Sequence, residues 1–438
     1  MNLEYCEHTD IGRRRANNQD AKAVLVPWSR EQYRRRGWLF VVADGMGAHA
    51  AGEMASAIAA EQVPLAYEKL AARSPPLALH SSIRQANAEI HARGQSSPDL
   101  KGMGTTCTAL ALVPRGALVG HVGDSRAYRV RRGRIEQLTY DHSLAWELEA
   151  TAAEGTAINT PRNIITRSLG PHEAVKIDME GPFPVEAGDV FILCSDGLSG
   201  QVEDAEIGLL AEHLAPTEAA AALVGLALVR GGPDNITVIV ARAGEKEVSR
   251  VSMTDEPWPL TEQAFERPPP SEIPWRELAA AAVSLLAALV LYPHGELMGA
   301  GGGIGRLLGD WREAIAWVAC IASGIVSFVA VLLAVRSFMG PNADAGRVLP
   351  PGDVLGKGPY RSYECRPTTD ALEGVLTSVE SAADGLSDRE QADVALLASE
   401  ARGQAQSGDA VQAVATAAAT IAVYARSVDA SRASDTAE

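Results

Sequence analysis

Up to residue 243 the chain alternates short apolar runs with helical stretches. Residues 38–43 (WLFVVA), 117–122 (ALVGHV), 190–194 (VFILC) and the alternating 236–241 predict strands, with a further one at 21–26. Residues 244–276 turn polar and rich in proline (Pro257, Pro259, Pro268, Pro269, Pro270, Pro274), the composition of an extended linker. Two uncharged apolar runs come next, 278–292 and 314–335, with a glycine-rich turn region at 299–305 between them. The second exceeds the ~20 residues that cross a bilayer core. The first, at 15 residues, is marginal for a span unless Pro293, His294 and Gly295 extend it, and otherwise reads as a buried or interfacial helix. From about 368 the chain is rich in alanine and predicts helices over 369–383, 387–406 and 409–428. Ser387 with Glu390 opens the second through a capping box, and Gly408 separates the last two. Val394, Leu396 and Leu397 are placed to face Val411, Val414, Ile421 and Val423 in a helical hairpin, as ordinary core packing or as a partner-binding face. The expected division is therefore 1–243, a linker 244–276, a transmembrane helical hairpin 277–336, a loop 337–367, a helical C-terminal region 368–430 and a tail 431–438.

Composition narrows the function classes. Of 438 residues, 47% are hydrophobic and 21% charged, which excludes wholesale disorder. A formal charge of −16 argues against nucleic acid as a partner, since that requires a basic footprint. The five cysteines (Cys6, Cys107, Cys194, Cys320, Cys365) form no CxxC pair, so neither a zinc site nor a disulfide framework is expected. The opening MNLEYCEHTDIG lacks a basic-then-apolar stretch, and no cleavable signal peptide is expected.

The chemistry lies where apolar strands end. Strand 38–43 runs into Asp44-Gly45-Met46-Gly47, strand 117–122 into Gly123-Asp124-Ser125-Arg126, and strand 190–194 into Ser195-Asp196-Gly197. Gly231-Gly232-Pro233-Asp234-Asn235 precedes strand 236–241, and Asp20 precedes 21–26. Singly, each Asp-Gly is a favoured turn. Together, several short carboxylates at one sheet rim repel one another unless cations sit between them, and hard oxygen donors suit Mg²⁺ or Mn²⁺. Arg15, otherwise a surface member of the run Arg13-Arg14-Arg15, offers a bidentate grip on phosphate.

These segments resemble the metal-dependent serine/threonine phosphatases of the PPM (PP2C) type, in their bacterial form. TDIGRRRANNQD (9–20), VVADGMGAHAAGE (41–53), GMGTTCTALAL (102–112), GHVGDSRAYRV (120–130), DHSL (141–144), RNIITRSLG (162–170), ILCSDGL (192–198) and GGPDNITVIV (231–240) occur in that family's order. The resemblance implies an α+β fold, a four-layer α-β-β-α sandwich, followed here by two transmembrane helices and a small helical region. It implies that Asp20, Asp44, Asp196 and Asp234 ligate two Mn²⁺ or Mg²⁺ ions with the Gly45 carbonyl, that Asp124 with Asp196 holds a third, and that Arg15 binds the substrate phosphate. Residues 144–161 fall where relatives carry a mobile flap. Two departures stand out: Gln19 where the family has Glu, and Ala48 where it has Gly. Met46 stands where some relatives carry a catalytic histidine, and neither His49 nor His142 aligns with a general acid, which stays unassigned.

The implied activity is hydrolysis of phosphoserine and phosphothreonine on cytosolic proteins by a metal-activated water at a binuclear centre, opposing a bacterial Ser/Thr kinase. The catalytic half would face the cytoplasm at the inner membrane, anchored through 278–335. The alternative is a weakly active member serving as a membrane scaffold, or one whose apolar pair senses an external or lipid signal. No cysteine is followed six residues later by arginine, which excludes a cysteine phosphatase. Residues 352–358 (GDVLGKG) miss P-loop spacing, and Gly303–Gly305 lacks a βαβ context for dinucleotide binding.

Overall fold

The computed structural model describes residues 3–47, 51–71, 74–151, 164–245, 248–252, 254–260 and 348–435. The apolar runs at 278–292 and 314–335, most of the linker, residues 152–161 of the flap segment, and Ala48 and His49 lie outside the described residues. The chain divides into two units, Met1–Pro259 with Leu349–Glu438, and Leu260–Val348. The first unit contains all the expected site residues and both large sheets.

Two antiparallel sheets form its centre. One has the order β1 (Glu4–Asp10), β11 (Ile236–Arg242), β10 (Val190–Cys194), β7 (Arg126–Arg131), β8 (Arg134–Gln137), β14 (Arg361–Glu364). The other runs β2 (Asp20–Leu25), β3 (Trp38–Met46), β5 (Cys107–Val113), β6 (Gly116–Val122), β9 (Asp178–Phe183), with the short β4 (Gly104–Thr105) pairing on β3. Two further short strands, β12 (Trp258–Pro259) and β13 (Val348–Leu349), pair with each other.

The central strands are apolar on both faces because both faces are covered, and the side-chain period of two sorts them. Trp38, Phe40, Val42, Phe191, Leu193, Ile239 and Ala241 meet in the core between the sheets. Ile192, Cys194, Val238 and Val240 belong to a second core beneath helices. Helices α2 (Ala51–Leu70) and α3 (Pro75–Gln95) cover the β2–β9 sheet, and the short α1 (Arg30–Arg36) leads into β3. The other sheet is covered by α6 (Asp204–His213) and α7 (Pro216–Val229), while α4 (Leu144–Thr151) and the single turn α5 (Asp196–Ser199) lie at strand ends. The α-β-β-α order thus matches the expected layers.

The C-terminal region departs from expectation in two respects. The sequence pattern reads 337–367 as loop, but β13 and β14 form within it, and β14 extends the first sheet beside β8 with Arg361 opposite Gln137 and Glu364 opposite Arg134. Loop 355–361 is then held by the Glu180 carboxylate, which accepts from the N–H groups of Lys357 and Gly358 (both 2.9 Å) and from the Tyr360 hydroxyl (2.6 Å). The expected helices do form, as α8 (Thr369–Ala383), α9 (Asp388–Gln406) and α10 (Ala410–Asp435), the last running past the expected end at 428. They share the core of α6 and α7 rather than making a separate one: Val375, Val379, Val414 and Ile421 pack with Leu223 and Leu226. Of the expected hairpin contacts, Val394, Val414 and Ile421 are buried, whereas Leu396 (67% exposed) and Val411 (59%) point to solvent. Ala410–Val428 alone among the described residues is long and apolar enough to cross a membrane. Its apolar side is occupied by this core.

Candidate metal and phosphate site

Four chain segments converge at one edge of the paired sheets. Asp20 opens β2 directly across from Asp44 near the end of β3. The Asp44 segment is fixed by its backbone: its N–H donates to Thr106 Oγ1 at 2.8 Å, and its carbonyl accepts from the Thr106 N–H and the Thr105 hydroxyl. Gly45 N–H donates to the Gln19 carbonyl at 3.1 Å, locking the two segments in register. Asp196 is the first residue of α5, straight after β10, so it leaves the sheet edge as the chain turns. The preceding Ser195 hydroxyl donates to Asp20 Oδ2 at 2.8 Å and accepts from the Thr237 N–H at 3.0 Å. Asn235 ties the remaining pieces together. Its side-chain oxygen accepts from Gln19 N–H, and its amide donates to the carbonyls of Ile11 and Asn17. Asp234 beside it holds Arg15, whose Nη2 lies 2.7 Å from Oδ2.

The electrostatics are those of a site missing positive charge. Burial raises the pKa of Asp20 to about 7, with Asp196 and Asp234 pushing the same way. Burial also raises Asp44 well above the carboxylate range, reinforced by Asp20, Asp196, Asp124 and Asp234. Asp124 rises to about 8 through burial and its neighbours Asp196 and Asp141, and Asp196 rises through burial and Asp234. Asp20 Oδ1 and Asp124 Oδ1 are buried oxygens with no hydrogen-bond donor. Such groups are costly unless a cation or proton compensates them. Among the described residues no three acidic, histidine or cysteine side chains are already drawn together closely enough to hold a metal ion. What is present is the donor set: short carboxylates from distant segments, two of them with orphaned oxygens. This set fits hard divalent cations.

Beside it lies a cavity of about 260 Å³ lined by Asp124, Asp196 and Asp234, by Trp146 of α4, and by Arg361 of β14. Arg361 stacks over the Trp146 ring at 3.7 Å and reaches Glu149 at 2.6 Å. Arg126, also on the wall, is fully engaged: it pairs with Asp141 at 2.7 Å and with Asp204 at 3.2 Å, and bonds the Tyr128 hydroxyl.

All the expected site residues, Arg15, Asp20, Asp44, Gly45, Asp124, Asp196 and Asp234, gather at this edge. The supporting residues Thr105, Thr106, Ser195 and Asn235 go unmarked in the sequence pattern, although each sits inside one of its motifs. His142 does not reach the site with a free nitrogen: Nδ1 accepts from Gly123 N–H at 2.9 Å, and Nε2 lies 2.9 Å from Asp178 and 2.8 Å from Arg167. Gln19 packs beside Gly52, its amide nitrogen 3.0 Å from where a Cβ would stand.

Comparison with known proteins bears on the family. The serine/threonine phosphatase stp of Listeria innocua is 36% identical over 248 residues, 55% of this chain and 95% of that protein. The serine/threonine protein phosphatase PstP of Mycobacterium tuberculosis is 36% identical over 243 residues, 55% of this chain but 45% of PstP. A crystal structure of the PstP catalytic domain in complex with two manganese ions matches at 37% identity and a TM-score of 0.47, covering 56% of this chain and 99% of that one. The family model described as Protein phosphatase 2C matches residues 11–226, which contain every carboxylate of the site except Asp234. By these matches the chain belongs to the protein phosphatase 2C family and is a protein phosphatase.

Proposed function

We propose that the chain hydrolyses phosphoserine and phosphothreonine on cytosolic proteins at a binuclear Mn²⁺ or Mg²⁺ centre. The observation that carries this is the uncompensated acidic edge: Asp20, Asp44 and Asp196 are driven toward protonation by burial and mutual repulsion, and the orphaned Asp20 Oδ1 lacks a donor. Asp20, Asp44, Asp196, Asp234 and the Gly45 carbonyl would hold two ions, and Asp124 with Asp196 a third. Held there, divalent cations would neutralise these carboxylates and supply the Lewis acidity that activates water for attack on a phosphate ester. Arg15 supplies the protein's own grip on the phosphate, its guanidinium oriented by Asp234 and half exposed toward solvent. Ser195 is no nucleophile, because its hydroxyl is committed to Asp20 and Thr237. Hydrolysis is then direct, without a phosphoenzyme. Asp141, beside the cavity, is paired with Arg126 and so is unsuited to give up a proton freely.

The finer setting is opposition to a Ser/Thr kinase at the inner membrane, anchored through 277–336. Residues 349–435 share a core with the catalytic layers, so a membrane-crossing insertion between them must cross an even number of times. A hairpin of the two apolar runs satisfies this, with both flanks in the cytoplasm. The test is manganese-dependent phosphate release from a phosphopeptide by the full chain and its Asp196→Ala variant. We expect a loss on the order of 10³-fold, the scale of removing a main electrostatic contact to the transition state. Equal rates, or no manganese uptake by calorimetry, would instead select a scaffold.

A further inference from the structure

We infer that Arg432, in the last turn of α10 and far outside the catalytic layers in sequence, is a positioning residue for the phosphate-binding loop. Its guanidinium spans Asp10, with Nη1 at 2.9 Å from Oδ2 and Nη2 at 3.2 Å from Oδ1, and Nη2 also donates to the Gly12 carbonyl at 2.7 Å. Earlier on the same helix, the buried Tyr424 hydroxyl accepts from Arg13 Nη1 at 2.7 Å. Helix α10 therefore holds residues 10–13 at three points, immediately before Arg15.

This loop has no freedom to take up its position alone. Gly12 sits at φ +77°, where a Cβ would stand 2.1 Å from the Asp234 carbonyl oxygen, so the loop lies directly against the Asp234 turn. Arg13 N–H donates to the Gly232 carbonyl at 2.7 Å, and Arg15 itself reaches Asp234 Oδ2. The Asp234 turn comes straight after α7, the helix against which α10 packs. At that crossing a Cβ on Gly225 would stand 2.6 Å from the Ile421 side chain, which sets how closely α10 can approach. Both sides of the phosphate-gripping pair are thus registered on α10: the Asp234 side through α7, and the Arg15 side through Arg432 and Tyr424. A lone exposed ion pair would matter little. Here the guanidinium is two-thirds covered, forks onto one carboxylate and satisfies a backbone carbonyl, a geometry that lysine cannot reproduce.

The inference rests on Arg15 binding the substrate phosphate, and one experiment separates the two claims. Steady-state kinetics with a phosphothreonine peptide would compare the full-length protein with Arg15→Ala, Arg432→Met, Arg432→Lys and Tyr424→Phe, each at saturating Mn²⁺. Arg432→Met should raise KM roughly fivefold with kcat within about twofold, the signature of lost ground-state binding. Arg432→Lys should recover only part of that loss, and Tyr424→Phe should give a smaller rise in the same direction. If Arg15→Ala raises KM but Arg432→Met leaves it unchanged, the positioning role is overturned even if thermal stability falls. If Arg15→Ala leaves KM unchanged, the reading of Arg15 fails first. A fall in kcat alone in Arg432→Met would also overturn the inference.

Discussion

Two buried acidic clusters lie beside one cavity, and they are built on opposite terms. Asp141 and Asp204 meet Arg126, whose charge is held despite burial by Tyr128, Asp141 and Asp204, and every partner is within hydrogen-bond range. Asp20, Asp44, Asp124 and Asp196 meet mainly other carboxylates, Asp234 among them, and at Asp196 Arg15 and Arg126 offset only part of that repulsion. The first cluster is complete as folded and braces the strand ends. The second gathers carboxylates whose mutual repulsion a bound cation would relieve, and that imbalance marks it as the candidate working site. Buried charge alone does not separate the two. Compensation does.

Removing a partner from the completed cluster should cost most. Asp141→Ala leaves Arg126 buried without its closest carboxylate, and we expect a loss of about 3–5 kcal/mol in urea denaturation. The acidic edge should respond with the opposite sign. Asp44→Asn removes a carboxyl group that is costly to bury, whether charged among repelling neighbours or protonated, so the metal-free protein should gain stability, by about 1 kcal/mol, read as a higher Tm. The same variant should lose most of the manganese-induced stabilisation, which for the unaltered protein should be about 2.7 kcal/mol per site at a hundredfold excess over Kd. A destabilised metal-free Asp44→Asn would erase the distinction between the clusters.

A third contrast is with histidine. Burial, reinforced by the neighbouring His142, lowers His121 to about 3, while an unfolded histidine titrates near 6.5. The unfolded chain therefore binds a proton first as pH falls. The neutral His121 costs nothing above pH 6.5, and stability declines from there toward pH 3 by up to about 1.4 kcal/mol per unit. His121→Asn should flatten that slope in denaturation series between pH 7 and 5. A similarly small effect belongs to Arg361. It is partly exposed over Trp146 and Glu149, so Arg361→Ala should cost only about 1 kcal/mol. Faster protease cleavage near α4 would check whether it steadies that helix.

The catalytic layers are legible in the sequence because their signals are local. A β-type run followed by a small acidic turn states both the strand and the rim residue, as at Asp44 and Asp196. The supports inside the motifs, such as Ser195 and Asn235, come from the same segments once the turns are known. The C-terminal helices are legible as helices, from alanine content and the Ser387–Glu390 cap, but their place is not. One signal is available: residues 216–229 (PTEAAAALVGLALV) are apolar nearly all round, and a helix of that kind must be covered on both sides. The strand Arg361–Glu364 has no such signal, because an edge strand with exposed side chains takes its identity from the neighbour it pairs with.

The sequence by itself determined the elements, the residue types able to hold hard cations, and the family, since each depends on short-range pattern and order. Only the tertiary structure decided which charges are compensated and which are not, and that the chain after residue 348 returns to complete the catalytic unit. The reason is physical: a carboxylate's energy depends on what lies within a few ångströms of it. Asp10 and Arg432, or Asp20 and Asp234, become neighbours only when the fold closes hundreds of residues of chain between them.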